Sequence, residues 1–460
     1  MNILQSIFTP KKPLPSDRQI FDDSALKKMI FPLFIEQLLQ LVVGIADTLM
    51  VSYAGEETVS GVSLDTMIYT IFIMLFTALA TGGAVVVSQY LGSSDRKNAC
   101  LAASQIHMIG FAAAAVCVGL VLPLKSVILN FLYPQVDPGV MSAAETYLAI
   151  VVLSFPANAL YNAGAAVYRS MGRTRTTMIV SMSMNLMNVV GNAIGIFVFK
   201  AGAAGVAWPT TISWYFAAFT MMYLCFRSDR QVSISGSGIF RIEREMDGRI
   251  LKIAIPNAVE NSLFQLAKVV LGALVATFGT AQIAANGIAQ TIWALSACMS
   301  ITFSPVFVTV IGQCMGRGDA DAADWYMRKL LRMSVFLCVV WCGLITALLP
   351  LILPLYNISD EARQLVLITV IIHNIFTPIA HPFFGPLSAG LRAAGDARFT
   401  MWASIIATVV CRTLFSFILG LWMGLGVIGI TIAMCLDWII KGVLDIHRWR
   451  SGKWRNFRVI

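Results

Sequence analysis

The sequence predicts an all-α integral membrane protein of twelve transmembrane helices, arranged as two six-helix lobes that are parallel repeats of each other. Three observations lead there: scarce charge, long apolar runs and an internal duplication. Of the 460 residues, 58% are hydrophobic and only 12% are charged, about half the charged fraction of a typical soluble domain. That is too little to cover a water-facing surface. The apolar runs reach about 20 residues or more, enough to cross a hydrocarbon core roughly 30 Å thick. Helices satisfy their own backbone groups in lipid, and the alternating pattern of a β-barrel is missing from the sequence.

The apolar runs place the helices at 29–53, 60–91, 99–124, 141–168, 176–199 and 203–226, then at 249–277, 283–315, 328–354, 364–391, 398–423 and 426–446. Residues 1–28 form a polar N-terminal segment without the apolar core and cleavage site of a signal peptide. The first helix is therefore expected to act as its own insertion signal. The first lobe spans 29–226, a polar cytoplasmic loop follows at 227–248, the second lobe spans 249–446, and a basic tail closes the chain at 447–460. The tail, RWRSGKWRNFR, reads as an interfacial anchor.

The formal charge of +9 could suggest nucleic acid, but its distribution argues against that partner. With the N-terminus inside, 28 of the 33 Lys and Arg residues fall in or beside cytoplasmic segments. Three lie outside (Lys125, Lys200, Arg363) and two within helices (Lys268, Arg412). This is the positive-inside pattern. It predicts a multi-pass protein of the cell membrane, the inner membrane in a bacterium, with both termini cytoplasmic. Lipid and a small-molecule substrate are the partners it implies, with no nucleic acid and no obligatory protein partner.

The nine cysteines are scattered through apolar runs and the four histidines form no ligand motif, so neither a metal nor another cofactor is expected. No DDxxD-like or His/Asp cluster marks an enzyme. No Walker A sequence is present, so uphill transport would have to draw on an ion gradient.

The duplication is read residue by residue. At an offset of 224, Pro32 matches Pro256, Glu36 matches Glu260, Gly55 matches Gly279, Gln89 matches Gln313 and Asp95 matches Asp319. At 223, Arg169 matches Arg392, Gly172 matches Gly395, and Thr177-Met178 matches Thr400-Met401. Six helices per copy give both copies the same orientation, and such lobes commonly enclose a midplane site.

Polar residues inside apolar runs are costly and point to function. Asp47 stands in the first helix, and Asn188 and Asn192 share one face of the fifth. Thr210 lies in the sixth. Their counterparts, Leu271, Cys411, Phe415 and Met434, are not equivalent donors, so this oxygen set belongs to the first lobe alone. It suits sodium or a protonatable carboxylate. Glu36 and Glu260, each four residues after a helix-kinking proline, are candidates for proton or substrate binding. His381 in the tenth helix is a third. Lys268 or Arg412 is expected to form a structural ion pair with Asp437. Asp95, Asp319, Arg169 and Arg392 read as structural.

The chain resembles the multidrug and toxic compound extrusion (MATE) transporters over essentially its whole length. The likeness is carried by ADTLMVSYAG in the first helix and by SQYLGSSDR with its echo GQCMGRGD. YRSMGRTRT with its echo LRAAGDARFT, and NLMNVVGN in the fifth helix, complete it. The resemblance implies a V-shaped pair of six-helix lobes and drug efflux coupled to sodium or proton entry. It implies a cation site in the first lobe, to which Asp47, Asn188, Asn192 and Thr210 correspond; some relatives have an acid where this chain has Asn192. One branch also uses carboxylates on helices seven and ten, where this chain has Glu260 and His381. The expected activity is therefore cation-coupled antiport of small, cationic organic compounds. The alternative is a flippase for lipid-linked sugars, which would call for a strongly cationic central cavity.

Overall fold

The computed structural model describes residue 10 and residues 14–227, 231–356 and 358–460. Among these residues stand twelve long helices. In the first half they are α1 (Asp23–Ser52), α2 (Glu56–Gly92), α3 (Arg96–Leu132), α4 (Pro138–Ser170), α5 (Thr174–Val198) and α6 (Gly202–Phe226). The second half repeats the series as α7 (Arg244–Ala276), α8 (Thr280–Gly316), α9 (Ala320–Ile352), α10 (Asp360–Ala393), α11 (Ala397–Trp422) and α12 (Gly426–Arg450). Eleven are long and apolar enough to cross a membrane; α6 is the exception. Its run Trp208-Pro209-Thr210-Thr211 and its Ser213, Trp214 and Tyr215 dilute the apolar content. The protein is a multi-pass, all-helical membrane protein, as the sequence predicted.

Local chemistry explains the breaks. Pro156 has no N–H to offer the carbonyl four residues earlier, and α4 tightens into a 3-10 turn at Val152–Ser154. Wide π turns end α5 at Ile194–Val198 and occupy much of α11. The duplicated glycines sit where the chain must enter the left-handed region: Gly55 and Gly279 at φ 104° and 96°, Gly172 and Gly395 at 73° and 105°. Only glycine adopts these angles without steric cost. Asp95 accepts from the Asn98 amide at 3.0 Å to cap α3, and Asp319 accepts from the Ala322 amide at 2.9 Å to cap α9. Each satisfies an otherwise orphaned helix donor.

The helices form two compact units, Phe31–Ala258 and Val259–Ile460, with the described residues before Phe31 belonging to the second. The divisions therefore fall inside α1 and α7 rather than in loops. In the second unit, Arg18 pairs with Asp319, Lys329 with Asp23, and the Tyr326 hydroxyl exchanges hydrogen bonds with the Phe21 backbone at 2.7 and 2.9 Å. These contacts tie the start of α1 and the residues just before it to the N-terminal part of α9. In the first unit, Gly82 of α2 lets the start of α7 approach until a Cβ there would stand 2.6 Å from that of Ala254. Arg249 also donates to the Tyr90 hydroxyl. An apolar cluster built on Ile68, Phe76, Leu129, Leu148 and Phe155 joins α2, α3 and α4. A corresponding cluster on Ala289, Ile345, Val366 and Val370 joins α8, α9 and α10.

Candidate functional site

In the first unit, the four residues selected from sequence meet. Asn188 and Asn192 lie one helical turn apart on α5, both buried, and face α1 and α6. Asn192 donates from Nδ2 to Asp47 Oδ1 at 3.0 Å. With its nitrogen turned toward Asp47, the Asn188 amide donates to both carboxylate oxygens, at 3.0 and 3.1 Å. Its oxygen then accepts from the Thr210 hydroxyl at 3.0 Å. Network logic fixes such amide orientations. The Asn192 Oδ1 atom is buried with no partner among the described residues.

This arrangement can do two things chemically. An amide can rotate to present oxygen instead of nitrogen. The cluster therefore offers up to five oxygens to a hard cation: two from Asp47, one from each asparagine and one from Thr210. It can equally hold a protonated Asp47. Asn185, one turn before Asn188 on the same helix, has a buried Nδ2 without a partner. The sequence reading missed it, although its spacing of three from Asn188 was visible.

Glu36 and Glu260 occupy equivalent places and have equivalent cations. Arg169 Nη2 reaches Glu36 Oε1 at 2.6 Å, and the Thr177 hydroxyl donates to Oε2 at 3.2 Å. Arg392 reaches Glu260 Oε2 at 3.0 Å. The second copy adds Lys441 at 2.7 Å and the Ser404 hydroxyl at 2.6 Å, both on Glu260 Oε1. The pairing arginines are themselves repeat partners, and each stands near the end of the fourth helix of its copy. The duplication thus preserved an interaction as well as two residue types.

Glu260 borders a cavity of about 180 Å³ within the second unit, lined among others by Phe264, Phe384, Ser404, Thr408 and Lys441. Lys441 lies 5.4 Å from the Phe384 ring centroid. The sequence reading had counted Lys441 with the cytoplasmic charge of the tail. Its spacing of four from Asp437 was the signal that both share a face of α12.

Arg412 Nη1 lies 3.8 Å from Asp437 Oδ2, and the Thr408 hydroxyl donates to Asp437 Oδ1 at 3.0 Å. Of the two cations that the sequence offered Asp437, Arg412 is the one beside it, and Lys268 stands apart. Its ammonium stands 6.0 Å from the Phe264 ring, on which Arg412 also lies at 5.6 Å. Two like charges bracket one ring, and Asp437 sits with the arginine. His381 shares a 2.9 Å hydrogen bond between Nδ1 and the Ser300 hydroxyl. Its ring is held by Phe384 and Trp438, with centroids at 4.5 and 5.7 Å.

Outside the membrane-spanning segments, the Arg18 hydrogen bond holds the Asp319 carboxyl below the usual carboxylate range. The Asn98 backbone amide does the same for Asp95.

A MatE family model matches the chain twice, over residues 32–194 and 256–418. The two matches begin 224 residues apart, the offset of the internal repeat. Two curated relatives span nearly the whole chain. The uncharacterized transporter YisQ of Bacillus subtilis is 28% identical, covering 95% of this chain and 98% of its own. The probable multidrug resistance protein NorM of Thermotoga maritima is 25% identical, covering 98% and 96%. Among solved structures, an outward-facing multidrug resistance MATE family transporter of the MOP superfamily has a TM-score of 0.86 at 19% identity, covering 93% and 95%. A MOP superfamily transporter from Pyrococcus furiosus, described as having a binding pocket of reverse polarity, reaches 0.87 at 19%, covering 96% and 98%. At these identities the structures establish the twelve-helix fold. The lipid-linked sugar flippase gains no support from these relatives and is set aside.

Proposed function

The chain belongs to the MatE family, and from that premise we propose that it is a cation-coupled antiporter exporting small organic compounds by alternating access. It is a transporter. The coupling and the substrate class are our reading. The observation that carries the reading is the Asp47 cluster, in which one carboxylate, two amides and a hydroxyl from three helices converge inside apolar surroundings. Sodium or a proton bound there would draw α1, α5 and α6 together. Substrate would favour the opposite-facing state, and coupling requires only that difference in preference.

Glu260 is our candidate for substrate or proton binding in the second lobe, because it lines a cavity while the aromatic rings beside it suit flat cationic compounds. His381, packed between Ser300, Phe384 and Trp438, would orient that wall. Glu36, closed off by Arg169 and Thr177, would hold α1 in register beside the Asp47 site. The positive-inside pattern supports a cytoplasmic position for both termini.

The test is ethidium transport in proteoliposomes, driven separately by sodium and proton gradients. Asp47→Asn is expected to abolish gradient-driven transport, and the gradient that works in the wild type names the ion. Undiminished, still ion-dependent transport by Asp47→Asn would remove this site from the mechanism.

A further inference from the structure

Asp65 on α2 is a carboxyl group that none of these sites uses. Its side chain is wholly buried, and among the described residues neither carboxylate oxygen has a hydrogen-bond partner. Its surroundings follow from the register of two helices. Gly61, one turn earlier, brings α2 against the backbone of α4: a Cβ there would lie 2.8 Å from the Ala144 nitrogen and 2.9 Å from the Val140 oxygen. One turn further along both helices, Asp65 meets Leu148, whose backbone is the polar group acting on it. The titratable groups facing Asp65 are phenols, Tyr133 at the end of α3 and Tyr147 on α4, with Tyr69 beside Tyr147. Among the described residues, no lysine, arginine or histidine acts on it.

Packing does not ask for an acid here. In the second copy the equivalent of Asp65 is Ala289, and that of Tyr147 is Val370. Both are buried in a single apolar cluster. The same asymmetry between copies distinguishes Asp47, Asn188, Asn192 and Thr210. Tyr147 also links the two places. It stands in the field of both Asp65 and Asp47. Its apolar cluster includes Val51, one turn past Asp47, and Val206, one turn before Thr210.

An ionised carboxylate without partners is prohibitively costly in such surroundings. Sodium would need several oxygen ligands, and Asp65 brings only its own two. The ligand that fits is a proton. We propose that Asp65 is a second proton-binding carboxyl group of the first lobe, protonated while it is buried and releasing its proton only in a conformation that hydrates it. On release the Asp65 O–H bond breaks, its electron pair stays on the carboxylate and the proton goes to water; rebinding reverses the step. The role of this proton in transport rests on the antiport reading; proton binding by Asp65 does not.

The experiment is infrared difference spectroscopy of the purified full-length protein from acidic to alkaline pH, in the wild type and in Asp65→Asn, Asp65→Glu and Asp47→Asn. Ethidium transport by the same proteins in liposomes is measured alongside. One protonated-carboxyl band that titrates is expected to vanish in Asp65→Asn, to shift in Asp65→Glu and to persist in Asp47→Asn. The number of protons exchanged per ethidium is expected to fall by one in Asp65→Asn. A spectrum unchanged by Asp65→Asn, or a band that never titrates, overturns the proposal. So does loss of the band with the wild-type proton count and pH profile of transport intact. If the wild type moves no ethidium under either gradient, the antiport reading fails, and the infrared titration still decides for or against a proton site at Asp65.

Discussion

Replacing Arg169 with methionine keeps most of the side chain's length and removes its charge, and the consequence follows from where Glu36 sits. The Glu36 side chain has no exposed surface, whereas Arg169 keeps 25% of its own. Arg169→Met therefore leaves a buried carboxylate held, among the described hydrogen bonds, by the Thr177 hydroxyl, and a single neutral hydrogen bond cannot compensate its charge. Removing one partner of a buried pair costs about 3–5 kcal/mol. Glu36→Gln should cost less, about 1–3 kcal/mol, because the orphaned guanidinium can still reach solvent and the amide can still bond Thr177. In the double variant the uncompensated charge is gone. Much of the Arg169→Met loss should return, leaving a coupling energy of about 2 kcal/mol. Equilibrium unfolding in mixed micelles, followed by tryptophan fluorescence, measures all three variants. Effects that add to within about 0.5 kcal/mol, or an Arg169→Met cost under about 1 kcal/mol, would refute the reasoning.

The other expectations concern the site and the two places where helix starts dock. Asp47→Asn should abolish gradient-driven ethidium transport, and Asp65→Asn should remove one titrating carboxyl, as set out above. Gly82→Ala would force a methyl group against the Cβ and backbone of Ala254. It is expected to destabilise by about 1–3 kcal/mol, read in the same unfolding assay. The Asp319 carboxyl is held below its ordinary range by Arg18, so its stabilising contribution is fully present above the unfolded value, about 3.9. It is lost only as pH falls through the lower folded value. The protection factor of the amides at the start of α1, measured by hydrogen exchange and corrected for the intrinsic rate at each pH, should thus stay constant from neutral pH down to about 4 and fall below it. Asp319→Asn should lower it throughout, and unchanged protection in that variant would remove the pair from the docking.

The matched pair Glu36–Arg169 and Glu260–Arg392 shows what duplication does physically. A buried acid requires a cation wherever it is copied, so the two residues travelled together. The copies then diverged in what surrounds them. The first lobe gained a polar cluster where the second has Leu271 and Met434. The second gained Lys441 and a cavity beside Glu260.

The sequence by itself determined the class, the number of long helices and the offset of the repeat, and it singled out Asp47, Asn188, Asn192 and Thr210 as polar residues that the second half does not repeat. These follow from local periodicity, composition and offset, which need no three-dimensional information. It also carried the family likeness through motifs that occur twice. Only the tertiary structure decided which charges pair. Arg169 and Glu36 are 133 residues apart, and Lys441 and Glu260 are 181 apart. No pattern on one helix specifies which face of another it will meet. The same limit leaves Lys268 and Arg412 as alternative partners of Asp437 in the sequence, and the fold sets Arg412 beside it. It also hid Asp65, whose isolation depends on Leu148 and Tyr147 arriving from α4. A carboxylate's partners, or its lack of them, are a property of the packing of neighbouring helices, and that packing is decided by the whole chain at once.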